Sequence, residues 1–186
     1  MGNDEHGAAA TRGTSDGPAG GMQSWYALSV MSRQEFTATA ELRKKGLQVF
    51  LPTVKRVRQW SDRRKLVEFP LFSGYLFVRL GSRCGDFAGA VAVRGAVRIL
   101  SAEPGRPSPI SNDEIDALKR LVESGNPIDV YPGLRSGTCV RIRRGPLAGL
   151  TGVIGQPYGA DLFLVHIDIL GRSVGTRICA DDLEAA

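Results

Sequence analysis

Between positions 55 and 65 the chain sets Lys55, Arg56, Arg58, Arg63, Arg64 and Lys65 against a single acid, Asp62. That short stretch carries +5, which equals the formal charge of the whole 186-residue chain. Cations gathered this tightly are the footprint of a polyanion contact. Trp60 stands in their midst, between Gln59 and Ser61. Basic side chains can track phosphates while an indole stacks on a base. A solvated hairpin that happens to be basic has the same sequence signature, so both readings stand at this point. Enzymatic groupings do not compete. His6 and His166 are the only histidines, and Cys84, Cys139 and Cys179 are widely spaced with no C-x-x-C. There is no phosphate-cradling glycine loop, no metal-ligand spacing and no Ser/His/Asp or Cys/His grouping. Asp181, Asp182 and Glu184 read as a solvated acidic terminus. The expectation is therefore a binding protein with no catalytic residue, no cofactor and no metal.

A second feature bears on partners. In Pro70-Leu71-Phe72-Ser73-Gly74-Tyr75-Leu76-Phe77-Val78, simple alternation puts Phe72, Leu76 and Val78 on one face of a strand. Tyr75 and Phe77 fall on the other face, with Leu71 and Ser73. A strand half-exposed to water alternates apolar with polar residues, because successive side chains point to opposite sides. Here both faces are apolar. Either the fold covers both, or one aromatic face is kept for a partner.

The elements that position these residues follow from local pattern. Residues 1–22 are mostly small or polar and cannot offset the entropy of ordering, so a disordered tail is expected. Trp25 to Val30 reads as a strand. Ser32-Arg33-Gln34-Glu35 has the form of a capping box, with a helix running to about Lys45 and stopped by Gly46. Leu47 to Val57 is extended, followed by the basic turn and the two-faced strand. A short helix over 86–91, a strand over 96–100 and a helix opened by the Ser111–Glu114 capping box complete an α+β domain over 23–125. Its architecture is an antiparallel sheet with packed helices. Two prolines and a glycine mark 126–134 as a linker. Beyond it, over 135–186, short alternating runs punctuated by glycines predict a small all-β barrel of about five strands. No apolar run approaches the roughly 20 residues of a membrane span, and no secretory signal is evident. A soluble, cytoplasmic monomer is the expectation.

Trp25-Tyr26-Ala27-Leu28, Phe50-Leu51-Pro52 and the 70–78 run together resemble the N-terminal domain of the NusG family of transcription factors. Val140 to Ile154, with Ile169-Leu170-Gly171-Arg172, is similar to that family's KOW domain, an SH3-like barrel. The resemblance spans about Trp25 to Leu183 and joins two motifs in the family's order. It implies a factor that binds elongating RNA polymerase through an apolar depression receiving the clamp of the largest subunit. Phe72, Tyr75 and Phe77 occupy the matching positions. It further implies a mechanical role, holding the clamp closed against pausing or termination. The basic segment, with Arg33 and Arg94, would meet upstream or non-template DNA. The barrel would recruit a further partner, such as NusE and the ribosome or Rho, through Leu150, Leu162, Leu164 and Arg172.

Ser73 replaces the family's usual Pro, and Leu150 replaces a Phe that housekeeping members use in partner binding. These departures, with the long tail, lean toward a specialised paralog of the RfaH or UpxY kind. Because this segment is rich in Gly, Val, Ile and Thr, poor helix formers, a stable barrel is expected rather than a helical alternative. A KOW-containing RNA-binding or ribosome-associated protein without polymerase contact is the competing reading.

Overall fold

A computed structural model describes residues 23–59, 64–81, 84–132, 137–155, 162–167 and 170–186. The expected tail, Trp60 and Arg63 lie outside the described residues. The α+β class holds. Strands β1 (Ser24–Val30), β2 (Gln48–Phe50), β5 (Tyr75–Leu80) and β6 (Ala96–Ile99) form an antiparallel sheet in the order β2-β5-β1-β6. Helix α1 (Glu35–Lys44) and helix α2 (Cys84–Val91) contribute to one core of this sheet, with Leu28, Val30, Ala38, Leu42, Leu76, Val78, Leu80 and Ala90 buried together. The alternate residues Trp25, Ala27 and Phe77 belong to a second core, shared with Ile115, Leu118 and Leu121 of α3 (Asn112–Glu123).

Local signals explain where these helices stop and start. Gly46 takes φ +78, Gly46 N–H donates to the Arg43 carbonyl, and Leu47 N–H reaches back to the Leu42 carbonyl. That is the left-handed ending expected of a glycine just past a helix. Ser111 caps α3 by accepting the Glu114 N–H at 3.1 Å. The same pattern fails at α1. Its N-cap is Gln34 with no side-chain cap, and Ser32 is exposed. Glu35 is instead drawn into the interior, where its carboxylate accepts the Gly74 N–H at 2.8 Å. A long-range donor outcompetes the local box.

The two-faced strand also begins later than alternation suggests. Residues 71–74 form a bend, Gly74 has φ +81, and Tyr75 N–H donates to the Phe72 carbonyl at 3.1 Å. The bend carries Phe72 round to Phe77, ring centroids 6.0 Å apart and nearly perpendicular. Phe72 therefore leaves the Leu76/Val78 face to which alternation assigned it.

The basic segment forms a sheet of its own, β3 (Thr53–Gln59) against β4 (Arg64–Pro70), in register from Thr53↔Pro70 to Gln59↔Arg64. The C-terminal part is a six-stranded antiparallel sheet, β12-β8-β9-β10-β11-β7. Five of its strands are β8 (Thr138–Ile142), β9 (Thr151–Gly155), β10 (Leu162–Ile167), β11 (Arg172–Thr176) and β12 (Leu183–Ala185). The sixth corrects the expected bare linker, because β7 (Ile128–Pro132) pairs with β11 along its whole length. Inside lie Val140, Ile142, Leu147, Leu150, Phe163, Val165 and Val174, continuous with the α3 core. Gly152 sits where a Cβ would meet the Phe163 ring at 2.7 Å, so close strand packing demands glycine there. No described helix is long and apolar enough to cross a membrane.

The Ser111 cap satisfies one of the orphan amides of α3, so Ser111→Ala should cost about 1 kcal/mol. Urea unfolding followed by circular dichroism measures that loss directly.

Candidate nucleic-acid and partner interface

Pairing register locates the cations. β1 leaves the N-terminal sheet at Val30 and β2 leaves it at Phe50, while β5 enters at Tyr75 and β6 at Ala96. All four events occur at the same end of the sheet. The β3–β4 hairpin therefore springs from the end that also carries Arg33 and Arg94. The loops bearing those two arginines touch, since Met31 N–H donates to the Gly95 carbonyl at 2.7 Å. Arg33 is exposed and is the one described non-glycine residue with positive φ, at 68°. Arg94 is exposed, and its backbone N–H is held by the Glu41 carboxylate at 2.8 Å.

On the hairpin, Lys55, Arg56, Arg58, Arg64 and Lys65 are all exposed. Arg58 stands directly opposite Lys65 across the strands. Like charges facing each other on a sheet are destabilising. Arg56 is the exception among these cations, for its guanidinium reaches Asp129 of β7 at 3.4 Å. Both partners are mostly exposed, so this pair contributes little stability. The sequence did not predict the exposed apolar pair Val57↔Leu66 on the hairpin, although alternation with the neighbouring cations points to it.

The aromatic site residues are brought together as expected, but not on an open surface. Phe72 and Phe77 have no solvent exposure. Phe50 stacks on Phe77 at 6.1 Å, and Tyr75 is half-buried at the margin. They belong to a contiguous apolar cluster that includes α3 and the C-terminal sheet. Arg172, expected to face a separate partner, instead lies with its guanidinium carbon 5.2 Å from the Tyr75 ring centroid. Such a cation over an aromatic face is attractive by about 0.5–1 kcal/mol at an exposed site and more when desolvated. Arg120 of α3 adds a clamp that sequence reasoning missed, donating to the Pro146 and Ala148 carbonyls of the β8–β9 turn.

Two more expected partner residues are placed differently. Leu164 does not face outward; it is fully buried, beside Gly175, with Tyr131 of β7 also packed at that glycine. The added strand β7 is the reason alternation misled, since it covers the face that a bare linker would have left open. Leu150 is buried in the turn after β8, its carbonyl accepting the Ile142 N–H at 2.9 Å. Leu162 begins β10, and its side chain lies outside the described residues. Among the described residues no group of three or more His, Cys, Asp or Glu could hold a metal ion.

A family model described as "Transcription termination factor nusG" matches residues 23–119, which include the sheet, the hairpin and the aromatic bend. The chain belongs to the NusG family. It is a transcription termination/antitermination factor of that family. The NusG transcription termination/antitermination protein of Escherichia coli K12 is 25% identical over 173 residues, covering 87% of this chain and 96% of that one. That of Vibrio vulnificus is 26% identical over 168 residues, covering 83% and 91%. Among solved structures, one on domain interaction in Thermotoga maritima NusG covers 87% of this chain and 96% of its own. Its TM-score is 0.50 at 22% identity, a likeness in fold.

If Arg120 fastens the barrel to α3, Arg120→Ala leaves two carbonyl groups without their charged donor. Amide exchange at Ala148 and Gly149 should then quicken by about tenfold, hydrogen bonds to charged groups being worth about 1.5–3 kcal/mol. Hydrogen–deuterium exchange read by mass spectrometry or NMR checks it.

Proposed function

We propose that this NusG-family factor binds RNA polymerase through Phe72, Tyr75 and Phe77. The hairpin, with Arg33 and Arg94, meets nucleic acid, and the KOW barrel engages a further partner such as NusE or Rho. The supporting observation is the aromatic cluster at the bend into β5, on the same end of the sheet as the hairpin that carries Lys55, Arg56, Arg58, Arg64 and Lys65 and the loops that carry Arg33 and Arg94. A buried aromatic anchor is worth about 2–4 kcal/mol in an interface. In this structure the cluster is covered from within by α3 and the barrel, with Arg172 on Tyr75. The structure is thus a closed form, and polymerase engagement requires the barrel to move aside. The action is mechanical: a wedge across the polymerase cleft suppresses pausing or termination, and no bond is made or broken.

Closure gives the test opposite signs for two residues that touch. Phe77→Ala is uninformative, since emptying a core aromatic site costs about 3–5 kcal/mol of stability. Tyr75 is only half-buried, so Tyr75→Ala should leave the fold intact and weaken polymerase binding at least tenfold. Arg172→Ala removes only the barrel's hold and should strengthen binding. Titration of labelled protein against core polymerase reads both. Wild-type affinity in both variants would leave the competing reading, a KOW protein acting on RNA or the ribosome alone.

The hairpin has its own measure. Each phosphate contact contributes about one unit to the dependence of log affinity on log salt. Neutralising Arg58, Arg64 and Lys65 together should lower that slope by about three on single- or double-stranded DNA. An unchanged slope marks the hairpin as a solvated loop.

A further inference from the structure

Glu35 opens helix α1 and yet is only 2% exposed. A buried carboxylate is costly unless it is hydrogen-bonded or paired with a cation. No Lys or Arg forms an ion pair with it among the described residues. Its oxygen Oε1 accepts the N–H of Gly74, 39 residues further along, at 2.8 Å. In the next peptide group the carbonyl of the same residue, Gly74, accepts the Val30 N–H at 2.9 Å. Gly74 is therefore gripped at its amide and its carbonyl, in a left-handed conformation that other residues rarely adopt. Glu35 is fixed in turn. Gly95, at φ +84, packs so tightly that a Cβ would come within 2.6 Å of the Gln34 Cβ, and its carbonyl holds Met31. Thr39 Oγ1 donates to the Glu35 carbonyl at 2.8 Å.

The gripped peptide lies between Phe72 and Tyr75. Its conformation turns Phe72 away from Leu76 and Val78 and onto Phe77, and it sets where Tyr75 enters β5. Without the carboxylate, a part-buried amide on the most flexible residue type loses its acceptor. The two aromatics then lose their common direction.

We propose that Glu35 is the positioning residue of the aromatic docking face, acting through Gly74 and touching no partner itself. The inference rests on the reading of that face as the polymerase site. It assigns Glu35 a role in partner affinity where its place in the sequence suggests only a helix cap.

The test compares full-length Glu35→Gln, Glu35→Ala and Tyr75→Ala for affinity to core polymerase, thermal unfolding and exchange of the Gly74 amide. Glu35→Gln keeps an oxygen acceptor, so it should bind within about threefold of wild type and keep the Gly74 amide protected. Glu35→Ala should expose that amide and bind about tenfold more weakly, at a melting temperature within a few degrees of wild type. If Glu35→Ala binds as wild type while Tyr75→Ala does not, the docking reading stands and the positioning role is wrong. If neither weakens binding, both fall. Should Glu35→Ala fail to fold, Glu35→Asp retains the charge but withdraws the carboxylate by one methylene. Weakened binding by a folded Glu35→Asp supports the proposal, and wild-type binding or an unfolded chain overturns it.

Discussion

Strand β5 buries apolar residues on both of its sides. Leu76, Val78 and Leu80 on one side and Phe77 on the other are all buried, and exposing either row would surrender the burial that drives folding. The N-terminal sheet must therefore be clothed twice. Helices α1 and α2 cover one side through contacts close in sequence. The other side is met by α3 and by a barrel whose strands begin only at Ile128. The two halves of the molecule share a core because one strand requires it.

On the proposed reading, that shared core makes the polymerase-binding surface and an internal surface the same patch. Aromatic residues that would anchor polymerase also anchor α3 and the barrel. Two polar contacts supplement that apolar core. Arg172 on Tyr75 and Arg120 on two carbonyls are polar contacts at the margin of an apolar patch.

Much of this was legible in the sequence where a local rule decides the outcome. Gly46 and Ser111 end and begin helices as their types demand, and the two-faced strand called for a cover on both sides, from the fold or from a partner. The misses share one cause, a distant contact overriding a local pattern. Ser32 and Glu35 have the composition of a capping box, but Gly74 supplies a better-placed donor for the carboxylate. Pro127 and Pro132 read as linker punctuation, yet a proline at the end of an outer strand is tolerated, and β7 forms between them. Leu164 was expected outside because the strand that covers it was not. In the aromatic bend, alternation failed at Phe72 because a single left-handed glycine breaks the period of two.

Strand β7 has a further consequence. By pairing with β11 it shortens the free tether between α3 and the barrel to Ser124–Pro127. Four residues reach about 14 Å at full extension. A barrel on so short a leash stays at high effective concentration beside the patch it covers. Any competitor for that patch then faces a rival that never diffuses away, and must win on strength of contact rather than on abundance.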